Sequence, residues 1–334
     1  MTLRTEPSPA HDSARPALSS LGLGAWVFGG VGWGSQDDGD SIAAIHRAVE
    51  LGLNWIDTAA VYGNGHAEQI VGLALAEMSH DERPLVFTKA GVLVDSASGR
   101  THRDLTPQSL RTECEGSLTR LGLERIDLYQ LHWPVEDPGV VEEAWETLGE
   151  LRCEGKIRWA GVSNFGLALL ESCAARRPID ALQAPLSLLT RDNGRGLLPW
   201  AVQRGVHTLT YSPLESGLLS GHFTLQRLSS LPKSDLRPGR EQFRQPQLNR
   251  TLALVERLKP LAKELGASLA ELAIAWTLAW DVDGVIVGAR SAAQVDGWVG
   301  ASKLTLDSDA LDAIETALIQ TGAGRGPARP PTVP

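Results

Sequence analysis

Four residues in the first half of the chain can be read as one reactive group. Asp57 lies near the end of the apolar run LNWIDTA, Lys89 near the end of LVFTKAG, and His132 near the end of IDLYQLHWP. Tyr62 stands five residues beyond Asp57, in AVYGNGHAE. A tyrosine hydroxyl ionises near pH ~10 in water, too high for efficient proton exchange at neutral pH. A neighbouring lysine ammonium stabilises the phenolate and lowers that value, and an aspartate beside the lysine keeps it charged and aimed. A histidine beside the tyrosine can hold a substrate oxygen by a hydrogen bond. Together these groups form a tuned proton donor for carbonyl reduction, to which the hydride must come from elsewhere. Taken singly, each has a plainer reading: a turn-capping Asp, a solvated Lys, a structural His. The weight rests on all four falling at successive strand ends.

The elements that must position them are legible as eight short apolar runs. They are residues 21–26, 53–59, 85–91, 126–134, 158–165, 180–187, 206–213 and 283–291. The runs are nearly continuous in apolar residues, as strands buried on both faces are. Helical periodicity fills the gaps: Ile42, Ile45 and Val49 share a face, as do Val141, Ala144, Leu148 and Leu151. Thr106 before Pro107 reads as an N-cap with proline in the first turn, and Ser268 with Glu271 has capping-box spacing. Strand then helix, repeated eight times, predicts an α/β fold, the (β/α)8 TIM barrel, in a single domain over residues 18–321. A doubly wound open sheet is the alternative. Residues 1–17 read as a disordered lead and 322–334, rich in Gly, Pro and Arg, as a flexible tail. A short N-terminal hairpin and a long loop after the seventh strand, about Glu215 to Gln247, complete the expected architecture. In such a barrel the C-terminal strand ends face one mouth, so Asp57, Tyr62, Lys89 and His132 converge there.

Other chemistries lack their signatures. Gly22 and Gly24 open a GxG, but Val27 stands where a dinucleotide fingerprint needs glycine, and no GxxxxGK[ST] occurs. GxSxG and HExxH are absent, and no metal ligand set is expected. Cys114, Cys153 and Cys173 are odd in number and have no CxxC spacing, which argues against a disulfide framework or structural zinc. Net charge is −9 over 334 residues, which gives no general footprint for nucleic acid or anionic membrane. With no apolar run of membrane-spanning length and no apolar leader, the expected location is cytoplasmic. No dedicated oligomerisation segment is visible, so a monomer is expected.

The chain resembles the aldo-keto reductases. The matching stretches are GLGAWVFGG, NWIDTAAVYGNGHAEQIVG, VFTKAG, SLTRLGLERIDLYQLHWP, LGELRCEGKIRWAGVSNF, ALQAPLSLL, TYSPLESGLLSG and VIVGARSAAQ, in family order over about residues 20–320. They are most similar to the bacterial branch with a YSPL clamp and a GAR segment. The resemblance implies that Tyr62 is the general acid/base, Lys89 and Asp57 its tuning pair, and His132 the substrate-orienting residue. It implies that Ser163, Asn164 and Gln183 hold a nicotinamide carboxamide and that Tyr211 stacks on the nicotinamide. Ser212, Leu214 and Gly217 fall in the clamp over the pyrophosphate, and Gly288, Arg290 and Gln294 match the segment at the adenosine 2′-phosphate. Arg290 also has an independent warrant: it follows the eighth strand, where barrels commonly bind phosphate, and its planar fork suits a phosphomonoester. The expected cofactor is therefore NADPH/NADP+, with NADH the lesser fit; the plain alternative for Arg290 is a solvated rim charge.

One departure weakens that preference. Many relatives carry a Glu-Asn pair contacting adenine, and the corresponding positions here are Gly297 and Trp298. Trp298 can stack on the base or pack into the barrel wall. Of the ten tryptophans, Trp26, Trp33 and Trp133 fall in strand-end loops, whereas Trp145, Trp276 and Trp280 lie on helical stripes and read as core. Trp26 and Trp133 are the candidate substrate contacts, for a sugar-like or other small oxygenated carbonyl compound. The expected function is NADPH-dependent reduction of an aldehyde or ketone. The alternatives are an aldose or sugar 1-dehydrogenase running in the oxidative direction, and a slow-turnover cofactor-sensing regulatory subunit.

Overall fold

The structure is a computed structural model that describes residues 17–330. Eight parallel strands close into a barrel: β1 (Leu21–Gly24), β2 (Trp55–Asp57), β3 (Leu85–Ala90), β6 (Ile126–Leu131), β7 (Ile157–Ser163), β8 (Ala181–Pro185), β9 (His207–Tyr211) and β10 (Gly284–Gly288). Each of the eight apolar runs supplies one strand. Closure is made by β1, which pairs with β2 through Gly24↔Asp57 and with β10 through Gly24↔Gly288. An open doubly wound sheet would leave two edges here.

Helices surround the barrel, and their ends follow the sequence signals. Pro107–Leu121 is capped by the Thr106 side chain, which accepts from the Ser109 N–H, and Leu269–Leu278 carries the Ser268/Glu271 capping box. Trp145 and Trp276 are buried on helices, and Trp280 is buried in the turn just past Leu269–Leu278. The antiparallel hairpin, β4 (Val92–Val94) with β5 (Thr101–Arg103), lies after the third barrel strand and beside the mouth. It is the short hairpin expected in the N-terminal part of the chain; residues 1–16 lie outside the described residues.

Both ends of the described chain make contacts with the barrel. Ala17 and Ser19 are tied to Asn54, and the Trp55 indole donates to the Ser19 carbonyl. Residues 322–330 are fastened against the barrel. Arg191 donates to the carbonyls of Leu188 and Ala323, the Arg191 and Arg325 backbones are bonded, and Arg329 is paired with Asp312. Burial pushes the Arg191 guanidinium down to about 10. Composition gave no hint of this docking, because its Arg191 contact is with a segment more than a hundred residues away.

The long connection after β9 is a folded strap. It coils through short turns at Glu215–Ser220, Leu225–Ser229, Arg237–Gly239 and Glu241–Phe243. Phe223 and Phe243 pack edge to face at 5.2 Å within a buried apolar cluster. Leu236 N–H donates to the Gly32 carbonyl, so the strap is pinned to the loop after β1. Cys114 and Cys173 are buried thiols, pushed up to about 12 by desolvation, and Cys153 is exposed; all three are free.

Candidate active site

The strands deliver Asp57, Lys89 and His132 to the mouth by simple period-2 geometry, each being the inward residue within one position of its strand end. Lys89 is fully buried, an arrangement that demands hydrogen-bonded partners. Its Nζ donates to Asp57 Oδ1 at 2.5 Å, to the Thr58 carbonyl at 2.9 Å and to the Tyr62 hydroxyl at 3.4 Å. Gln183 Nε2 donates to the other Asp57 oxygen at 2.8 Å, so the carboxylate is held from two sides. The Tyr62 and His132 rings meet edge to face at 5.7 Å.

The electrostatics are only in part those anticipated. Burial pushes the Tyr62 phenol up; the Lys89 charge pulls it down, but the net direction is upward. The sequence reading counted the lysine and omitted desolvation, which here is the larger effect. Burial works against the Lys89 charge, yet Asp57 and Tyr62 more than offset it and raise the ammonium above its ordinary value. Burial and the Lys89 charge hold His132 well below its ordinary value, so the ring is neutral at pH 7. The mouth therefore presents a protonated phenol, a charged lysine beneath it and a neutral imidazole beside it.

Tyr62 sits outside any strand, and a backbone contact fixes it. A Cβ on Gly29 would lie 2.5 Å from the Gly63 nitrogen, and one on Gly63, at φ +61°, would lie 2.4 Å from the Gly29 carbonyl oxygen. Only glycines allow this approach, which locks the turn bearing Trp26 against Tyr62. The Trp26 and Tyr62 rings are 6.1 Å apart.

These groups open into a cavity of about 860 Å³ that runs across the mouth. Every candidate site residue lines it except Lys89, which lies behind Tyr62 and Asp57. At one end Trp26 and Trp133 face it, with Val92 and Thr101 of the hairpin; the Arg103 guanidinium stacks 5.2 Å from the Trp133 ring and fastens the hairpin there. Next come Ser163, Asn164, Gln183 and Tyr211. The Asn164 amide is engaged by the His132 carbonyl, Ser163 Oγ and the Tyr211 hydroxyl, at 3.0, 3.0 and 2.7 Å. Gln183 spends its Nε2 on Asp57, and its Oε1 has no donor among the described residues.

Beyond Tyr211 the chain makes a tight knot. Ser212, Glu215 and Ser216 all have positive φ (60°, 46° and 57°), and Gly217 follows at 94°. Non-glycine residues in that region cost free energy and persist only where the surroundings impose them. The buried Glu215 carboxylate supplies the imposition, accepting from Ser187 Oγ at 2.6 Å and Thr190 Oγ1 at 2.8 Å. Such a turn gathers backbone N–H groups into a concavity suited to anions. At the far end Arg290 is tethered to the loop after β1, through Gln36 Oε1 at 2.8 Å and the Ser35 carbonyl, and Gln294 accepts from its backbone N–H. It has no carboxylate partner among the described residues. Trp298 is 3% exposed and belongs to the main core cluster, so it packs into the wall while still bordering the cavity.

Sequence reasoning missed several neighbours of the site. Gln130 has the same strand parity as His132, a signal that was available; it is buried and accepts from Gln183 at 3.4 Å. Arg240 and the Asp235–Arg237 pair come from the strap, where no periodicity marks a side chain's direction.

The fold and this geometry agree with comparisons to known proteins. The Aldo/keto reductase family model matches residues 20–319. "Aldo-keto reductase YhdN" of Bacillus subtilis (strain 168) is 36% identical over 306 residues, 91% of each chain. The "NADH-specific methylglyoxal reductase" of Escherichia coli (strain K12) is 33% identical, covering 88% of this chain and 93% of that one. The solved glycerol dehydrogenase AKR11B4 from Gluconobacter oxydans superposes with a TM-score of 0.84 at 34% identity, covering 98% of both chains. This chain belongs to the aldo/keto reductase family. It is an NAD(P)H-dependent oxidoreductase of the carbonyl-reducing kind.

Proposed function

We propose that the protein reduces a small aldehyde or ketone to the alcohol with NADPH, and that Tyr62 is the general acid. The carrying observation is the chain Asp57–Lys89–Tyr62 beside a neutral His132, at one end of a cavity whose other end holds a guanidinium without a carboxylate partner among the described residues. The donor set fits a nicotinamide dinucleotide: the free Gln183 Oε1 for the carboxamide, the Tyr211 ring beside it, the knot at Ser212–Gly217 for the pyrophosphate, and Arg290 with Gln294 for the 2′-phosphate end. When bound, the cofactor supplies the hydride.

The side chains do the remaining work. Tyr62 gives its phenolic proton to the carbonyl oxygen as negative charge develops there. Lys89 stabilises the phenolate left behind, and Asp57, held by Gln183, keeps the ammonium charged and aimed. His132, being neutral, donates one ring N–H to the same oxygen and adds no competing acid. The walls at Trp26 and Trp133 orient a small oxygenated substrate. The likeness to a glycerol dehydrogenase supports the same site running in reverse on a polyol, with Tyr62 as the base.

The test is a titration with NADPH and NADH followed by tryptophan fluorescence, then 4-nitrobenzaldehyde followed at 340 nm, with Tyr62→Phe alongside. NADPH binding tighter than NADH, with turnover that collapses in the variant, is the expected result. Tighter NADH binding overturns the cofactor assignment, and full activity in the variant overturns the role of Tyr62.

A further inference from the structure

Arg240 is the strap's contribution to the substrate end of the cavity, and its surroundings are unusual for a cation. Its Cζ lies 4.8 Å from the Trp26 ring and 5.9 Å from the Trp33 ring. Those two rings meet edge to face at 5.0 Å, so the guanidinium rests on an aromatic corner. Its Nη1 donates to Ser216 Oγ at 3.1 Å. No carboxylate lies within ion-pair distance among the described residues. The acidic groups that face it are already engaged: Glu215 with Ser187, Thr190 and Gln242, and Asp235 with Arg237. Burial lowers the pKa of the group, but arginine remains charged at any physiological pH. A half-buried cation without a counter-ion is costly unless an anion completes it. A second donor stands beside it: the Trp33 indole N–H is buried and has no partner among the described residues, and Trp33 lines the same cavity.

We propose that Arg240, with Trp33, forms an anion subsite that selects carbonyl substrates carrying a carboxylate. The placement sets the reach. Trp26 is the common neighbour, 6.1 Å from the Tyr62 ring on one side and 4.8 Å from the guanidinium on the other. A compound whose carbonyl meets Tyr62 can thus lie along Trp26 with its carboxylate toward Arg240. The planar fork accepts a carboxylate in two parallel hydrogen bonds. A phosphate of the dinucleotide is the other oxyanion within the cavity's scope, because Ser216 belongs to the knot. The proposal rests on the reductase reading above for its kinetic test but not for its binding test.

The experiment compares 4-carboxybenzaldehyde with 4-nitrobenzaldehyde in the wild type, Arg240→Gln and Arg240→Lys, and measures NADPH affinity for each. Benzoate is titrated separately against the tryptophan fluorescence of the cofactor-free protein. Loss of a charge-assisted pair predicts that the ratio of kcat/KM for the two aldehydes falls about 10- to 100-fold in Arg240→Gln. The lysine variant recovers part of that ratio, and benzoate quenching is lost in the glutamine variant. An unchanged ratio with weakened NADPH binding assigns the guanidinium to the dinucleotide and overturns the proposal; so does an unchanged ratio with unchanged affinity. If the wild type reduces neither aldehyde, the reductase reading fails, and the benzoate titration alone decides the subsite: no Arg240-dependent quenching overturns it.

Discussion

The two ends of the barrel interior are built from the same strands, two residues apart, and have opposite chemistry. Trp55 lies under Asp57, Phe87 under Lys89, Leu128 under Gln130, Ala181 under Gln183 and Leu209 under Tyr211. The lower layer is an apolar floor. Trp55 fills the space left by Gly22 and Gly284, where added Cβ atoms would lie 2.3 and 2.6 Å from its ring, and Leu18 packs beneath. The upper layer is hydrogen-bonded and charged. Stacked layers of inward side chains are the general construction of this barrel. Here the floor anchors the strands by burial, so the mouth can spend its positions on groups that stabilise poorly. A buried Lys–Asp pair contributes little net stability against its desolvation cost, and its use is chemical.

The widest separation of the two layers comes from Tyr62→Phe. Removing a positioned general acid costs about 10²- to 10⁴-fold in rate, up to ~5 kcal/mol in the barrier. We expect kcat for aldehyde reduction to fall by the upper part of that range and thermal stability to change little, as followed by 340 nm absorbance and a melting curve. Trp55→Ala is the converse test. A buried aromatic truncated to alanine costs about 3–5 kcal/mol, so chemical denaturation should show that loss while the folded fraction keeps its turnover. An equal drop in intrinsic kcat would mean that floor and mouth are one unit.

Behind the mouth, Glu113 sharpens the contrast. Its carboxylate accepts from the Gly91 N–H at 3.0 and 3.2 Å, at the exit of β3, and burial pushes it up to about 7. A raised acid binds more protons folded than unfolded between its ordinary value, 4.5, and about 7. Stability from this group is therefore lost as pH rises through that window. Glu113→Gln should stabilise the protein by at most about 3 kcal/mol at pH 8 and by little at pH 4.5, in parallel urea unfolding curves. Greater stabilisation at the lower pH would contradict the assignment.

The smallest effect expected is that of pH on reduction between 6 and 9. His132 is held well below its ordinary value and Tyr62 above its own, so neither changes state there. The kcat/KM for reduction should stay level and decline only in the alkaline limb, above about pH 10, where phenols ionise. A limb near pH 6.5 would show that His132 titrates in the free enzyme.

Much of this was legible in the chain. The eight apolar runs, the Thr106 cap and the Ser268/Glu271 box all appear where local sequence puts them, because their causes act over a few residues. The candidate residues at strand ends were legible for the same reason, since parity alone sends Asp57, Lys89 and His132 to one mouth. The contacts that hold residues 322–330 against the barrel were not legible in composition. Docking through Arg191 depends on a partner 132 residues away.

What sequence determined by itself is therefore the barrel and the identities at its strand ends. It also carried the resemblance to a family of carbonyl reductases. Tertiary structure alone decided how those residues behave: that burial outweighs Lys89 in setting Tyr62, that two glycines lock Trp26 against it, and that a strap brings Arg240 onto an aromatic corner. The physical reason is range. Strand and helix signals repeat every two to four residues and are written locally, whereas desolvation, close backbone approach and uncompensated charge exist only between segments that folding has brought together.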